Sequence, residues 1–220
     1  KQHPSSTADP TDSLLDAAAM VRPSIWQLAL PSILGNLSYT IVGMVQTKFV
    51  GELGAQALAA LGAGQRIFFA MQAILMAISA GTTALVARAW GAGDYDEASR
   101  VTMASLVLAA VFSFAIAFFG FFLASPVASV FGLDPVTLEL AAQNIRWLSI
   151  FNLAFAAMFV LSAALRASGD AWSPLWISAG VNLLNLPLLY VFIFGFAVVP
   201  AMGVAGAAIA AGISFTFGSG

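Results

Sequence analysis

Apolar residues recur along this chain in long blocks, each ended by a short polar or glycine-rich cluster. About 20 residues of helix are what a hydrocarbon core of roughly 30 Å requires, so each block is long enough to span a membrane. A strand reading fits poorly, because the blocks lack apolar/polar alternation and are rich in Ala and Leu. The expected class is therefore all-α, a polytopic membrane protein. Composition agrees: 60% of residues are hydrophobic and 8% charged, where a soluble domain carries about 45–50% and about 25%.

The same composition excludes several functions. A net charge of −2 leaves no basic surface for nucleic acid. Without cysteine there is no disulfide framework or thiol catalysis, and the lone His3 cannot build a metal site. The spans contain no acid pair, no histidine and no serine in a nucleophile motif, so no catalytic residue is assigned and an enzyme is not expected. Gly91-Ala92-Gly93-Asp94 lacks the Gly-Lys-Ser/Thr signature of a phosphate loop and follows an apolar block rather than a strand. Transport work would then have to draw on an ion gradient.

Along the chain the reading is a polar tail and short juxtamembrane helix over residues 1–23, the helix at Ser13–Met20 with Asp12 as N-cap, then a six-helix lobe over 24–218. Its spans fall at approximately 24–50, 58–86, 101–124, 138–164, 173–196 and 203–218. The tail is too polar for a secretory signal, and the first apolar run is long enough to stay as a helix. With the tail on the cytoplasmic side, Lys1, Arg22, Arg88, Arg100 and Arg166 lie inside, and Lys48, Arg66 and Arg146 lie near the opposite face. That excess favours a cytoplasmic N-terminus, with the alternative that Arg66 faces a cavity. The two inner loops echo each other, as Ala84–Asp94 and Ala164–Asp170; shared loop chemistry explains this more readily than duplication does. Small residues at helical spacing in the sixth span, Gly203, Ala207 and Ala211 or Ala208 and Gly212, predict close helix packing. A start at Lys1 and an end just after an apolar run read as a piece of a longer protein.

Four passages together resemble the multidrug and toxic compound extrusion (MATE) family, from about Ile25 to Phe217. They are Leu28-Ala29-Leu30-Pro31-Ser32-Ile33-Leu34-Gly35-Asn36 with Phe49-Val50-Gly51-Glu52-Leu53-Gly54 and Leu58-Ala59-Ala60-Leu61-Gly62; Ala84–Asp94 with Ala98; Ala163–Asp170; and Asn182-Leu183-Leu184-Asn185-Leu186-Pro187 with Phe194-Gly195 and Gly203–Ala210. The resemblance implies a six-transmembrane-helix bundle forming the N-terminal lobe of a twelve-helix, two-lobe transporter. It further implies an antiporter in the bacterial inner membrane that exports small amphipathic or cationic organic compounds by alternating access. The coupling ion would be sodium or a proton, no other cofactor would be needed, and a C-terminal lobe of the same polypeptide would complete the pathway.

Polar groups inside spans need partners or water, which makes them informative. Asn36, Tyr39, Thr40 and Gly43 share one side of the first span, Gln46 lies close to that side, and Asn182 and Asn185 form a second polar pair on the fifth. These residues are expected to face each other across a wet cavity that takes substrate or cation; the alternative is that they only hold helices together. Pro31 removes a hydrogen bond within the first span and is the hinge candidate, although proline is also commoner in transmembrane than in soluble helices. The chain departs from the family pattern where many members carry an aspartate fifteen residues after this proline. Gln46 stands there, and Leu186 stands at a second acidic position; neither can take and release a proton. Lys48 is expected to extend its amine to the interface or to substitute for a bound cation. The phenylalanines of the third span line a drug cavity or, more simply, contact lipid. Two other functions fit the same bundle: a lipid-linked oligosaccharide flippase, for which only Lys48, Arg66 and Arg146 could serve as basic lining, and a non-transporting membrane subunit.

Overall fold

The computed structural model describes residues 25–196 and 199–219. The polar tail, the Ser13–Met20 helix with its Asp12 cap, and the charges of Lys1 and Arg22 lie outside the described residues. Seven helices are described: α1 (Ile25–Gly51), α2 (Ala55–Gly91), α3 (Tyr95–Phe122), α4 (Ala124–Ser129), α5 (Pro135–Ala167), α6 (Trp172–Phe194) and α7 (Gly203–Ser219). Among the described residues there is no strand, as expected in lipid, where a helix satisfies its own backbone. The chain forms an integral membrane protein.

Taken singly, α2, α3, α5 and α6 are long and apolar enough to cross a membrane. Two further long helices stand beside these four. α1 runs for 27 residues and carries Ser32, Asn36, Thr40, Gln46 and Thr47 along its length. α7 is apolar and is described over 17 residues.

Both loops at one end of the bundle use the same stop-and-start device. After α2, Gly93 takes φ 75° and the Asp94 N–H donates to the Ala89 carbonyl at 3.0 Å. After α5, Gly169 takes φ 94° and the Asp170 N–H donates to the Leu165 carbonyl at 3.0 Å. Glycine adopts this left-handed conformation without the Cβ penalty. Each aspartate then caps the next helix: Asp94 accepts from the Glu97 N–H at 2.9 Å, and Asp170 accepts from the Trp172 and Ser173 N–H groups at 3.1 and 3.0 Å. The two echoing passages thus share one loop chemistry. Asp134 caps α5 likewise through the Thr137 N–H, and Pro135 opens that helix.

α5 is the central element. It packs against α2, α3 and α7 and carries the short α4 on its flank, while α1 leans mainly on α6 and touches α2 only slightly. A core of Val50, Leu61, Ile145, Leu189, Ile193 and Val204 closes the end bearing the α1–α2 turn. Leu75, Ala109, Ala156 and Val160 fill the space between α2, α3 and α5. α3 forms an outer wall: Phe114, Phe118, Phe119 and Phe122 are all exposed, Phe114 at 67%, which is what lipid contact requires.

Glycines allow the closest approaches. A Cβ on Gly206 would overlap the backbone carbonyl of Phe192, and one on Gly212 the ring of Phe151. In lipid, where hydrophobic burial does not pull helices together, such van der Waals contact supplies much of their association. Gly206→Ala is expected to lower stability by about 1–3 kcal/mol, because backbone rather than a mobile side chain would have to yield. Gly81→Ala, where a Cβ meets nothing within 4 Å, is the control that should leave the melting temperature of detergent-solubilised full-length protein unlowered.

The loop caps predict a pH dependence. Hydrogen bonds from Thr137 and from Ser173 hold the Asp134 and Asp170 carboxyls below the usual carboxylate value of 3.8. Depressed folded-state values contribute stability that is present above the unfolded value and is lost as pH falls through the folded one. Thermal melts are therefore expected to show a drop in stability below about pH 4 that is smaller in an Asp134→Asn/Asp170→Asn double variant.

Candidate functional site: two joined chambers

The helices frame two half-open chambers that meet in the middle of the bundle. The larger has a volume of about 540 Å³ and lies toward the α5–α6 loop. α1 contributes Pro31, Ser32, Gly35, Asn36 and Tyr39; α2 contributes Phe68, Phe69, Gln72 and Met76; α5 contributes Phe155, Met158, Phe159, Ser162 and Arg166. α6 closes it with Pro174, Leu175, Ser178, Val181 and Asn182, and α7 with Phe215. The smaller, about 480 Å³, lies toward the α1–α2 turn and includes Thr40, Gly43, Gln46, Thr47, Gln65, Asn144 and Asn185. Tyr39, Phe68, Phe69, Asn182 and Phe215 line both.

All five sequence candidates lie on these walls: Asn36 in the larger chamber, Gln46 and Asn185 in the smaller, and Tyr39 and Asn182 where the two join. Pro31 is buried at the larger chamber, within the unbroken helix α1. Several α1 polar groups bond within their own helix. The Asn36 amide donates to the Ser32 carbonyl at 3.0 Å, and the Thr40 and Thr47 hydroxyls donate to Asn36 and Gly43 at 2.9 and 2.8 Å. These bonds satisfy polar groups without tying α1 to a neighbour. Lys48 and Arg66 are exposed and line neither chamber, while Arg146 binds the Ser125 hydroxyl at 3.2 Å and pairs with Glu139 at 3.8 Å.

A second polar set was missed from the sequence. The Gln72 amide donates to Asn152 at 3.4 Å, and the Asn152 amide donates to Ser113 at 3.2 Å, linking α2, α5 and α3. The Asn144 amide donates to the Val204 carbonyl at 3.0 Å, fixing α5 against the first turn of α7. The signal was present: Gln72, Asn144 and Asn152 interrupt apolar runs just as Asn36 does. Asn144 Oδ1 rests against Gly64 and Ser149 Oγ against Gly120, glycines that let a polar atom reach a neighbouring backbone. These two oxygens, with Gln72 Oε1 and Asn185 Oδ1, are buried and accept no hydrogen bond among the described residues.

Aromatic rings form the larger chamber's walls. Phe155 lies edge-to-face with Phe68 at 5.5 Å and with Phe215 at 4.9 Å, and stacks with Phe159 at 5.7 Å. Among the described residues no carboxylate lines either chamber, and Arg166 is the single charged lining group. A mostly apolar, aromatic concavity with a few convergent polar groups is the usual form of a small-molecule site.

A polytopic helical bundle built around such a chamber defines a membrane protein shaped to hold a small molecule between its helices. The MatE family model matches residues 31–191, and the chain belongs to that family. It is 32% identical to a probable multidrug resistance protein NorM of Thermotoga maritima, over 91% of this chain and 43% of that protein. It is 25% identical to an FAD transporter of Shewanella oneidensis, over 83% of this chain and 40% of that protein. A solved structure of a MOP superfamily transporter from Pyrococcus furiosus superposes with a TM-score of 0.81 at 26% identity, covering 88% of this chain and 42% of the other. The chain therefore spans less than half the length of these relatives and forms one lobe of the fold.

Removing the central amide tests the polar bridge. Asn152→Ala leaves the Gln72 and Ser113 groups without their partner, and a loss of about 1–3 kcal/mol is expected, read as a lower melting temperature of the full-length protein. An unchanged melt would mean that the bridge adds nothing to the packing of α2, α3 and α5.

Proposed function

We propose that this chain is the N-terminal lobe of a secondary antiporter that exports small amphipathic organic compounds by alternating access, in exchange for sodium or protons. The observation that carries this reading is the larger chamber: about 540 Å³, within the usual range of about 300–1,000 Å³ for ligand pockets, walled by phenylalanine rings and edged by amides. Such walls suit both the drug resistance named for the Thermotoga relative and the FAD transport named for the Shewanella one. In this reading a second six-helix lobe completes the pathway, the N-terminus is cytoplasmic, and the membrane is the bacterial inner membrane. Pro31 lets α1 bend, because proline removes one backbone bond from the ladder.

Coupling follows from what the lobe can hold. Gln46 and Asn185 line the smaller chamber, with the Asn185 oxygen buried behind its wall; amide oxygens can coordinate a cation but cannot carry a proton at physiological pH. A proton-coupled step would use a group outside these residues. A flippase for a pyrophosphate-linked lipid is disfavoured, because one guanidinium lines the chambers and the other basic candidates lie elsewhere.

Efflux of an amphipathic dye from cells expressing the full-length protein, under imposed sodium or proton gradients, tests this reading. Gradient-dependent efflux is expected, and Gln46→Asp should add an acid-side pH dependence to it. Absence of efflux with either gradient, despite membrane insertion, would overturn the antiporter reading.

A further inference from the structure

We propose that the larger chamber selects planar aromatic amphipaths that carry an anionic group, and that Arg166 is the specificity-determining residue. This rests on the reading of that chamber as the substrate site. Phe155, Phe159, Ser162 and Arg166 recur on one face of α5 and all line the chamber. By helix geometry Arg166 stands about 10 Å along the axis from Phe159, the length of a fused tricyclic ring system. An apolar body against the rings thus places a terminal carboxylate or sulfonate beside the guanidinium.

Charge balance supports the assignment. No carboxylate among the described residues lines the chamber, so nothing there would compensate a ligand cation. The single ion pair among the described residues joins Arg146 and Glu139, which leaves Arg166 with no carboxylate within 4.0 Å. The acid nearest in sequence, Asp170, is committed elsewhere: its oxygens accept from the Trp172 and Ser173 N–H groups and the Ser173 hydroxyl. Arg166 is exposed at the chamber's end rather than packed away. A guanidinium in the last turn of a helix also complements the helix dipole, but that role needs no chamber in front of it. Planar guanidinium matched to planar carboxylate gives a bidentate, charge-assisted pair.

The test compares two xanthene dyes of one ring framework, anionic fluorescein and cationic rhodamine 6G, binding to purified full-length protein by fluorescence anisotropy. The natural protein is expected to prefer fluorescein, and Arg166→Gln to weaken fluorescein binding about three- to tenfold while sparing rhodamine 6G. Arg166→Lys should keep most of the preference, and added salt should reduce it. Ser178→Asp places a carboxylate on the α6 wall without touching Arg166 and should shift preference toward rhodamine 6G. Equal binding of both dyes, unmoved by Arg166→Gln and Ser178→Asp in protein of unchanged melting temperature, would overturn the charge selectivity and leave the chamber reading intact. If neither dye binds, both the charge selectivity and the reading of the chamber as the substrate site are overturned.

Discussion

In hydrocarbon no water competes for a side-chain amide, so every buried amide must find a protein partner or face a wet space. α5 places such groups on several sides. Asn152 reaches α2 through Gln72 and α3 through Ser113, and Asn144 reaches the backbone of α7. Arg146 adds the flank of α4. Each contact sets the position of one neighbour, and the apolar packing of Leu75, Ala109, Ala156 and Val160 fills the space between. Gly64 faces Asn144 and Gln72 faces Asn152, pairs eight residues apart on both helices, so α2 and α5 run parallel in constant register.

Much of this architecture was legible in the sequence because membrane thickness and backbone chemistry act locally. Apolar length marks a helix, and Gly93-Asp94 and Gly169-Asp170 mark where one helix stops and the next begins. The chamber was half legible. Polar residues of α1 and α6 stood out against apolar surroundings, and the structure sets them on the walls. Gln72, Asn144 and Asn152 carry the same local signal, yet whether such an amide faces a chamber or another helix depends on the register between α2 and α5. That register is a long-range property with no local mark. The exclusion of Lys48 and Arg66 from the lining has the same origin, since a few residues of helix rotation decide which way a charge faces.

Among the described residues, the charge of the two chambers comes from a single one. Gln46 brings only a neutral amide to the smaller chamber, and Arg166 stands at the loop end of the larger one. Amides and rings accommodate many neutral shapes, because neither demands a single partner geometry. A lone charge is different: it acts through sign first and shape second. Breadth for the body of a ligand and discrimination at its tip can therefore coexist in one cavity.

The wall formed by α1 differs in kind from the others. It rests mainly on α6, barely meets α2, and keeps its threonine and asparagine donors within its own turns. A shift of that wall leaves the bonds of Asn36, Thr40 and Thr47 intact, because they stay within the helix, whereas moving α2 or α3 would break the bridge through Asn152. The girth of the cavity is thus set by the placement of a single helix, and its length by a framework that buried amides bolt together.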